Sequence, residues 1–160
     1  NQQAVNIHDV LDRARRSALL GFGVEMKIIE DYDPSLPQVL GDPDQLLQVV
    51  LNLLKNASEA AGAEGGTIRL KSFYEHSFSL RRSDGTGHAL PLQIEIIDDG
   101  PGLPQDIKGD VFDPFVSGRE NGTGLGLALV SKILSDHKGW VSVDSVPGHT
   151  VFRLSLPMAK

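Results

Sequence analysis

The segment LQIEIIDDGPGL, residues 92–103, decides how this part of the chain folds and what it can bind. The apolar run from Leu92 to Ile97 predicts a β-strand, and the carboxylate of Asp98 closes it. Gly100 and Gly102 follow, and they remove side chains that would block a flat ligand. A carboxylate at a buried strand end accepts a hydrogen bond from an exocyclic amine, and N6 of adenine is one. The segment therefore predicts the base-binding part of a nucleotide site.

Two other interpretations of this segment stay open. Asp99 competes with Asp98 for the base, although strand alternation places the two carboxylates on opposite faces and counting back from Gly100 favours Asp98. The run Asp-Gly-Pro-Gly is also good turn chemistry, which requires no ligand.

A second glycine cluster, Gly-Thr-Gly-Leu-Gly at residues 122–126, opens a helical pattern. Backbone N–H groups at a helix start suit phosphate oxygens, and the helix dipole adds to their attraction. The cluster is not a P-loop, because the Lys and the following Ser/Thr are missing. It does not follow a predicted strand, so the dinucleotide-binding interpretation fails as well. Arg119, in the predicted flap just before it, is placed to meet the terminal phosphate, although an exposed loop arginine is also an ordinary finding.

Two amides in a predicted helix complete the candidate site. Asn52 and Asn56 are spaced i, i+4, so they lie about 40° apart on one face, opposite a stripe of Leu and Val. The amide oxygen is a neutral, hard ligand that suits Mg²⁺ and leaves room for waters and phosphates. A pair of solvent-exposed amides is the alternative. Given the two glycine segments, we favour the interpretation in which this pair of amides supplies a magnesium ligand.

The remaining pattern predicts an α+β fold, a two-layer α/β sandwich in a single domain over residues 1–160. Three helices are predicted, over residues 7–20, 43–61 and 125–136, and Asn6 and Asp42 are the N-caps of the first two. Gln45 is placed to reach back to Asp42 as in a capping box. Strands are predicted over residues 24–31, 67–73, 92–98, 140–143 and 151–156. Residues 75–91 read as a long hairpin connection that is mobile at its tip.

Composition excludes several classes of protein. The net charge of -6 and pI near 5.3 argue against a nucleic-acid surface. No apolar run approaches the roughly 18 residues of a membrane span, and the N-terminus does not resemble a signal peptide. The chain contains 0 cysteines, which fits a reducing compartment and predicts a cytoplasmic location. The five histidines are not clustered and are predicted to be structural or surface residues. Because the chain starts without Met, we expect an excised domain.

Taken in order, these motifs resemble the ATP-binding domain of two-component sensor histidine kinases, within the superfamily that includes gyrase B, Hsp90 and MutL. Asn52–Ala57 corresponds to the N box, Asp98–Gly102 to the G1 box, Phe112–Phe115 to the F box and Gly122–Leu127 to the G2 box. Residues 148–152 resemble the final glycine-threonine strand. Within the family, the chain is most similar to the nitrogen-regulation sensors.

The resemblance implies a Bergerat-type fold, with about five strands in a mixed sheet, three helices and a lid over ATP and Mg²⁺. It implies that Asn56 binds the metal and Asn52 supports the phosphates in catalysis, with Arg119 beside them. The residues implied to contact the nucleotide are Lys55, Asn56, Asp98, Gly100, Gly102, Phe112, Gly122, Thr123, Gly124, Leu125, Gly126 and Thr150. The sequence departs from many sensor kinases at Glu59, where they carry a basic residue, so phosphate charge must be met elsewhere, by Lys55 or Arg119.

The implied activity is that of a protein histidine kinase, which transfers the γ-phosphate of ATP to a histidine. The acceptor histidine normally lies on a helical hairpin that is absent here, so the implied partner is that hairpin domain. A response regulator would act indirectly, and a PII-type regulatory protein is a further candidate partner. Two alternatives stay open: a stand-alone ATPase, and a nucleotide-sensing module that recruits a regulatory protein. Stand-alone ATPases of the superfamily need a carboxylate where this chain has Asn52, which disfavours the first.

Overall fold

Three helices form among the residues that the structure, a computed structural model, describes, which are 1–62, 65–81, 87–103 and 125–159. They are α1 (Ile7–Leu20), α2 (Pro43–Ala61) and α3 (Leu125–Asp136). The side chain of Asn6 accepts from His8 N at 3.0 Å, and that of Asp42 accepts from Asp44 N and Gln45 N at 2.9 and 3.2 Å. Both predicted N-caps and the extents of all three helices are therefore confirmed.

Nine strands accompany the helices in the described part of the chain. They are β1 (Gln3–Val5), β2 (Lys27–Asp31), β3 (Val39–Gly41), β4 (Thr67–Tyr74), β5 (Ser79–Arg81), β6 (Gly87–Ala89), β7 (Leu92–Asp98), β8 (Trp140–Val146) and β9 (His149–Leu156). The main sheet has five strands in the order β2-β4-β7-β9-β8. Only β2 and β4 pair in parallel within it, so the sheet is mixed as expected.

One face of this sheet packs against the helices and forms the core. Alternate residues of the central strands β4, β7 and β9 point inward, so that Leu70, Ile96 and Phe152 are fully buried. Leu11 and Leu53 supply the apolar faces of α1 and α2 that cover them. The predicted two-layer sandwich is confirmed.

The structure differs from the sequence prediction, or adds to it, at several places. The strand predicted from residue 24 begins only at Lys27, because residues 21–26 form turns in which Val24 N and Met26 N donate to Gly21 O and Gly23 O. Strands β1 and β3, which pair antiparallel, were not predicted, since three residues are too few to show alternation. The hairpin of residues 75–91 is confirmed by the pairing of β5 with β6, but its predicted mobile tip, residues 82–86, lies outside the described residues.

The predicted capping box at the start of α2 does not form. The backbone N–H of Asp42, which Gln45 was expected to satisfy, donates instead to Nε2 of His137 at 3.0 Å. Nδ1 of the same ring lies 2.8 Å from Ile133 O, and since a carbonyl only accepts, this nitrogen carries the proton. His137 is 2% exposed and joins the end of α3 to the start of α2. It is a structural histidine, as predicted.

Replacing His137 with alanine is expected to lower the free energy of unfolding by about 2 kcal/mol, because the change leaves a cavity and removes two hydrogen bonds. Urea denaturation followed by circular dichroism measures this. His149→Ala is the matched control, since His149 is exposed on β9 and its loss should change stability by less than about 0.5 kcal/mol. Equal effects of the two changes would contradict the structural role of His137.

Candidate nucleotide-binding site

Asp98 ends β7 with its carboxylate on the helix-facing side of the sheet. It is 6% exposed, and Oδ1 accepts from Gly100 N at 2.9 Å. Asp99 is exposed instead, and its Oδ1 accepts from Thr67 N at 3.1 Å, where it ties down the start of β4. The strand therefore alternates as predicted, and the burial of Asp98 favours it over Asp99 as the base-binding carboxylate.

Close packing and backbone conformation both restrict the two glycines after Asp98. A Cβ at Gly100 would lie 3.0 Å from Oδ1 of Asp98 and 3.4 Å from Cβ of Ala60. Gly102 has φ +89°, which L side chains rarely adopt, and a Cβ there would lie 3.1 Å from Ser145 Oγ and from Val146 O. These positions thus need glycine to let the segment run close to α2 and β8, a requirement additional to the predicted space for a base.

The amide face of α2 leads directly to this segment. Asn52, Asn56 and Ala60 are spaced i, i+4, i+8 and form one stripe, and Ala60 is the residue beside Gly100. Asn56 is 8% exposed, so the alternative of two solvent-exposed amides fails. Nδ2 of Asn52 is buried and has no hydrogen-bond partner within residues 1–62, 65–81, 87–103 and 125–159. A buried donor of this kind suits a ligand acceptor such as a phosphate oxygen.

The hydroxyl of Thr150 lies on the other side of Asp98. In the register of the sheet, Thr150 on β9 is opposite Asp98, and Ser145 on β8 is opposite Thr150. Their hydroxyl oxygens are 2.8 Å apart, and Ser145 Oγ also accepts from Leu103 N at 2.9 Å. The family resemblance named Thr150 as a site residue, whereas Ser145 was not predicted. The signal was present, because Val141, Val143 and Ser145 share the inward face of an alternating strand, where a polar side chain is unusual.

The remaining predicted residues divide into those the structure describes and those it does not. Lys55 and Glu59 are exposed on α2, and Gly126 is exposed in the first turn of α3, with nothing within 4 Å of a Cβ built there. The helix α3 starts at Leu125, as predicted for the phosphate-binding terminus. The predicted site residues Phe112, Arg119, Gly122, Thr123 and Gly124, and the lid to which they were assigned, lie outside the described residues.

Two of the groups with shifted pKa values, His8 and Tyr32, lie on the α1–β2 side of the molecule. Burial lowers the pKa of His8 and raises that of Tyr32. The two rings stack with centroids 4.8 Å apart, and Nε2 of His8 is 2.8 Å from Oγ of Ser72. His8 therefore has a packing role between α1, β2 and β4, as predicted. No group of three or more potential metal-binding side chains (His, Cys, Asp or Glu) occurs in the described part of the chain, and no described helix is long and apolar enough to cross a membrane.

Comparison with known proteins places this geometry in a family. The model for "Histidine kinase-, DNA gyrase B-, and HSP90-like ATPase" matches residues 41–160. The chain is 70% identical over 155 residues to the sensory histidine kinase/phosphatase NtrB of Rhodobacter capsulatus, covering 97% of this chain and 43% of that protein. It is 49% identical over 158 residues to NtrB of Azospirillum brasilense, covering 98% and 40%. The chain thus spans less than half the length of these relatives.

Solved structures of sensor kinases share the fold. The mycobacterial sensor histidine kinase MprB matches with a TM-score of 0.79 at 25% identity, covering 99% of this chain and 98% of that one. The ATP-binding domain of PrrB from Mycobacterium tuberculosis matches with a TM-score of 0.72 at 26% identity, covering 100% and 99%. With the family model matched over residues 41–160, the chain belongs to the histidine kinase-, DNA gyrase B- and HSP90-like ATPase family.

Proposed function

We propose that this chain is the ATP-binding catalytic domain of a two-component histidine kinase of the NtrB type, which transfers the γ-phosphate of ATP to a histidine on a separate hairpin domain. The observation that carries the proposal is the stripe of Asn52, Asn56 and Ala60 on α2, which meets the segment Asp98–Gly102. The stripe offers amides and no carboxylate. A buried carboxylate for the base and amides for the phosphates and metal suit nucleotide binding better than water activation.

Each described residue has a distinct role in this proposal. Asp98 accepts from the adenine amine, Thr150 supports it, and Gly100 and Gly102 bring the backbone to the base. Mg²⁺, when bound through the Asn56 oxygen, would neutralise phosphate charge. Lys55, Arg119 and the glycine cluster of residues 122–126 are proposed to meet the phosphates.

Asn52 favours the kinase over a stand-alone ATPase. An amide does not take a proton from water at neutral pH, so hydrolysis should be slow. Its Nδ2, which has no partner among the described residues, is proposed to donate to a phosphate oxygen. The acceptor is then an external imidazole nitrogen, which forms the P–N bond as the bond to ADP breaks.

The proposed setting follows from the relatives. We propose that residues 1–160 form one cytoplasmic domain whose direct partner is the acceptor hairpin of the same kinase. The response regulator would receive phosphate from that histidine, and a PII-type protein is the proposed regulator. The names of two relatives, 70% and 49% identical, support the sensor-kinase setting, because both are sensory histidine kinase/phosphatase NtrB.

Radiolabelled ATP tests the transfer. The chain alone is expected to bind Mg-ATP without labelling itself, and to label a separately supplied histidine hairpin from an NtrB-type kinase. A hairpin with its acceptor histidine replaced by glutamine is the control and should stay unlabelled. Acid-labile phosphate on this chain alone, or rapid ATP hydrolysis without the hairpin, would contradict the proposal.

A further inference from the structure

The glycine segment after Asp98 is bonded to the β8–β9 hairpin at both of its ends. Gly148 N donates to Gly100 O at 2.8 Å, in the turn of that hairpin. Leu103 N donates to Oγ of Ser145 at 2.9 Å, at the far end of the segment. Ser145 is 2% exposed, so this second bond is shielded from water on the serine side. The segment's position relative to the sheet therefore depends on β8 and β9.

Ser145 also contacts the hydroxyl of Thr150, the residue opposite it on β9. Its Oγ is 2.8 Å from Oγ1 of Thr150, which is 3% exposed and stands opposite Asp98 in the register. Oγ of Ser145 thus contacts both the Leu103 N–H at the end of the glycine segment and the hydroxyl of Thr150 beside Asp98. The row Asp98, Thr150, Ser145 crosses three adjacent strands, β7, β9 and β8.

The backbone between these bonds leaves little room for adjustment. Gly102, next to Leu103, is in the left-handed region at φ +89°, and a Cβ there would lie 3.1 Å from Ser145 Oγ. Loss of the serine oxygen would release the Leu103 N–H and open space beside Gly102. The segment would then be able to shift relative to the fixed carboxylate of Asp98, which is bonded to Gly100 N.

We propose that Ser145 is a positioning residue for base recognition: it fixes the Gly100–Leu103 backbone and the Thr150 hydroxyl so that Asp98 meets the exocyclic amine of a purine. This rests on the proposed function, in which Asp98 binds adenine. Ser145 acts through these groups and sets the preference for a base that carries an amine at C6.

The test compares ATP with purine riboside triphosphate, which has hydrogen at C6 and makes no bond there to Asp98. Ser145→Ala is expected to weaken ATP binding about 5- to 20-fold and binding of the analogue by less than about twofold. Ser145→Thr, which keeps the hydroxyl, should restore the ATP preference. Ser142→Ala is the matched control, since Ser142 lies on the same strand with its side chain on the opposite face. Calorimetry measures the affinity of the wild type and of each of the three variants for both nucleotides.

A purely structural role for Ser145 predicts a different result, namely an equal loss for both nucleotides, and that outcome would overturn the inference. If Ser145→Ala does not give the circular dichroism of the folded protein, Ser145→Cys takes its place, because it keeps the side-chain shape with a weaker hydrogen-bonding group. The variant Asp98→Asn tests the adenine assignment separately. An unchanged preference for ATP in that variant would reject the adenine assignment itself, whereas a lost preference there and an unchanged one in Ser145→Ala would reject only the role of Ser145.

Discussion

Replacing Asp98 with asparagine is expected to weaken ATP binding by roughly 10- to 150-fold and to leave the fold intact. The carboxylate is 6% exposed at the end of β7, so its bond to the adenine amine would form with little competition from water. Loss of a charge-assisted hydrogen bond costs about 1.5–3 kcal/mol, which gives that range of affinity. Isothermal titration calorimetry on the folded variant measures it.

The neighbouring carboxylate supplies the control. Asp99→Asn removes the same charge one residue away, but Asp99 is exposed and bonds to Thr67 N, so ATP affinity should stay close to that of the wild type. GTP should bind wild-type protein much less well than ATP, because guanine presents O6 where adenine presents its amine. Unchanged ATP affinity in Asp98→Asn would falsify the assignment.

Replacing Asn56 with alanine is expected to abolish the enhancement of ATP binding by Mg²⁺ and to lower phosphotransfer to the hairpin by roughly 100-fold or more. Asn56 lies in the middle of the amide stripe of α2, where its oxygen is the proposed metal ligand. A metal ion contributes several kcal/mol of charge stabilisation when phosphate is transferred, and each 1.36 kcal/mol is a factor of about ten in rate. ATP affinity measured with Mg²⁺ and with EDTA reports the effect.

Two further variants separate metal binding from phosphate binding. Asn52→Ala should weaken ATP binding whether or not Mg²⁺ is present, since Nδ2 of Asn52 is proposed to donate to a phosphate oxygen. Asn56→Asp should keep part of the Mg²⁺ enhancement, because a carboxylate oxygen also suits this ion. A full Mg²⁺ enhancement in Asn56→Ala would mean that another residue holds the metal. Asn52 and Glu59 would then be the candidate ligands.

Features of the fold that depend on near neighbours in the chain were predictable. The caps at Asn6 and Asp42 and the 3.6-residue periodicity predicted all three helices, because a helix is closed by bonds four residues apart. The apolar run predicted β7, and strand alternation predicted that Asp98 and Asp99 would lie on opposite faces of it. Prediction from neighbouring residues failed in the turns of residues 21–26, and it missed the three-residue strands β1 and β3.

The sequence also predicted which types of side chain form the candidate site. The spacing of Asn52 and Asn56 placed both on one helix face, and the structure adds Ala60 as the point where that face touches Gly100. The assignments of Phe112, Arg119 and residues 122–124 stay predictions, because they lie outside the described residues.

What only the tertiary structure decided are the contacts between residues far apart in the chain. The N–H of Asp42 bonds to His137, which lies 95 positions further along the chain, in place of the nearby Gln45. Ser145 reaches Leu103 across 42 residues because β8 and β9 close the sheet beside β7. Periodicity determines which face of an element is buried, but strand order and register depend on how all the elements pack together. For that reason the sequence by itself determined the helices, the longer strands and the types of ligand group proposed for the site, and the packing of the sheet decided which of these groups meet.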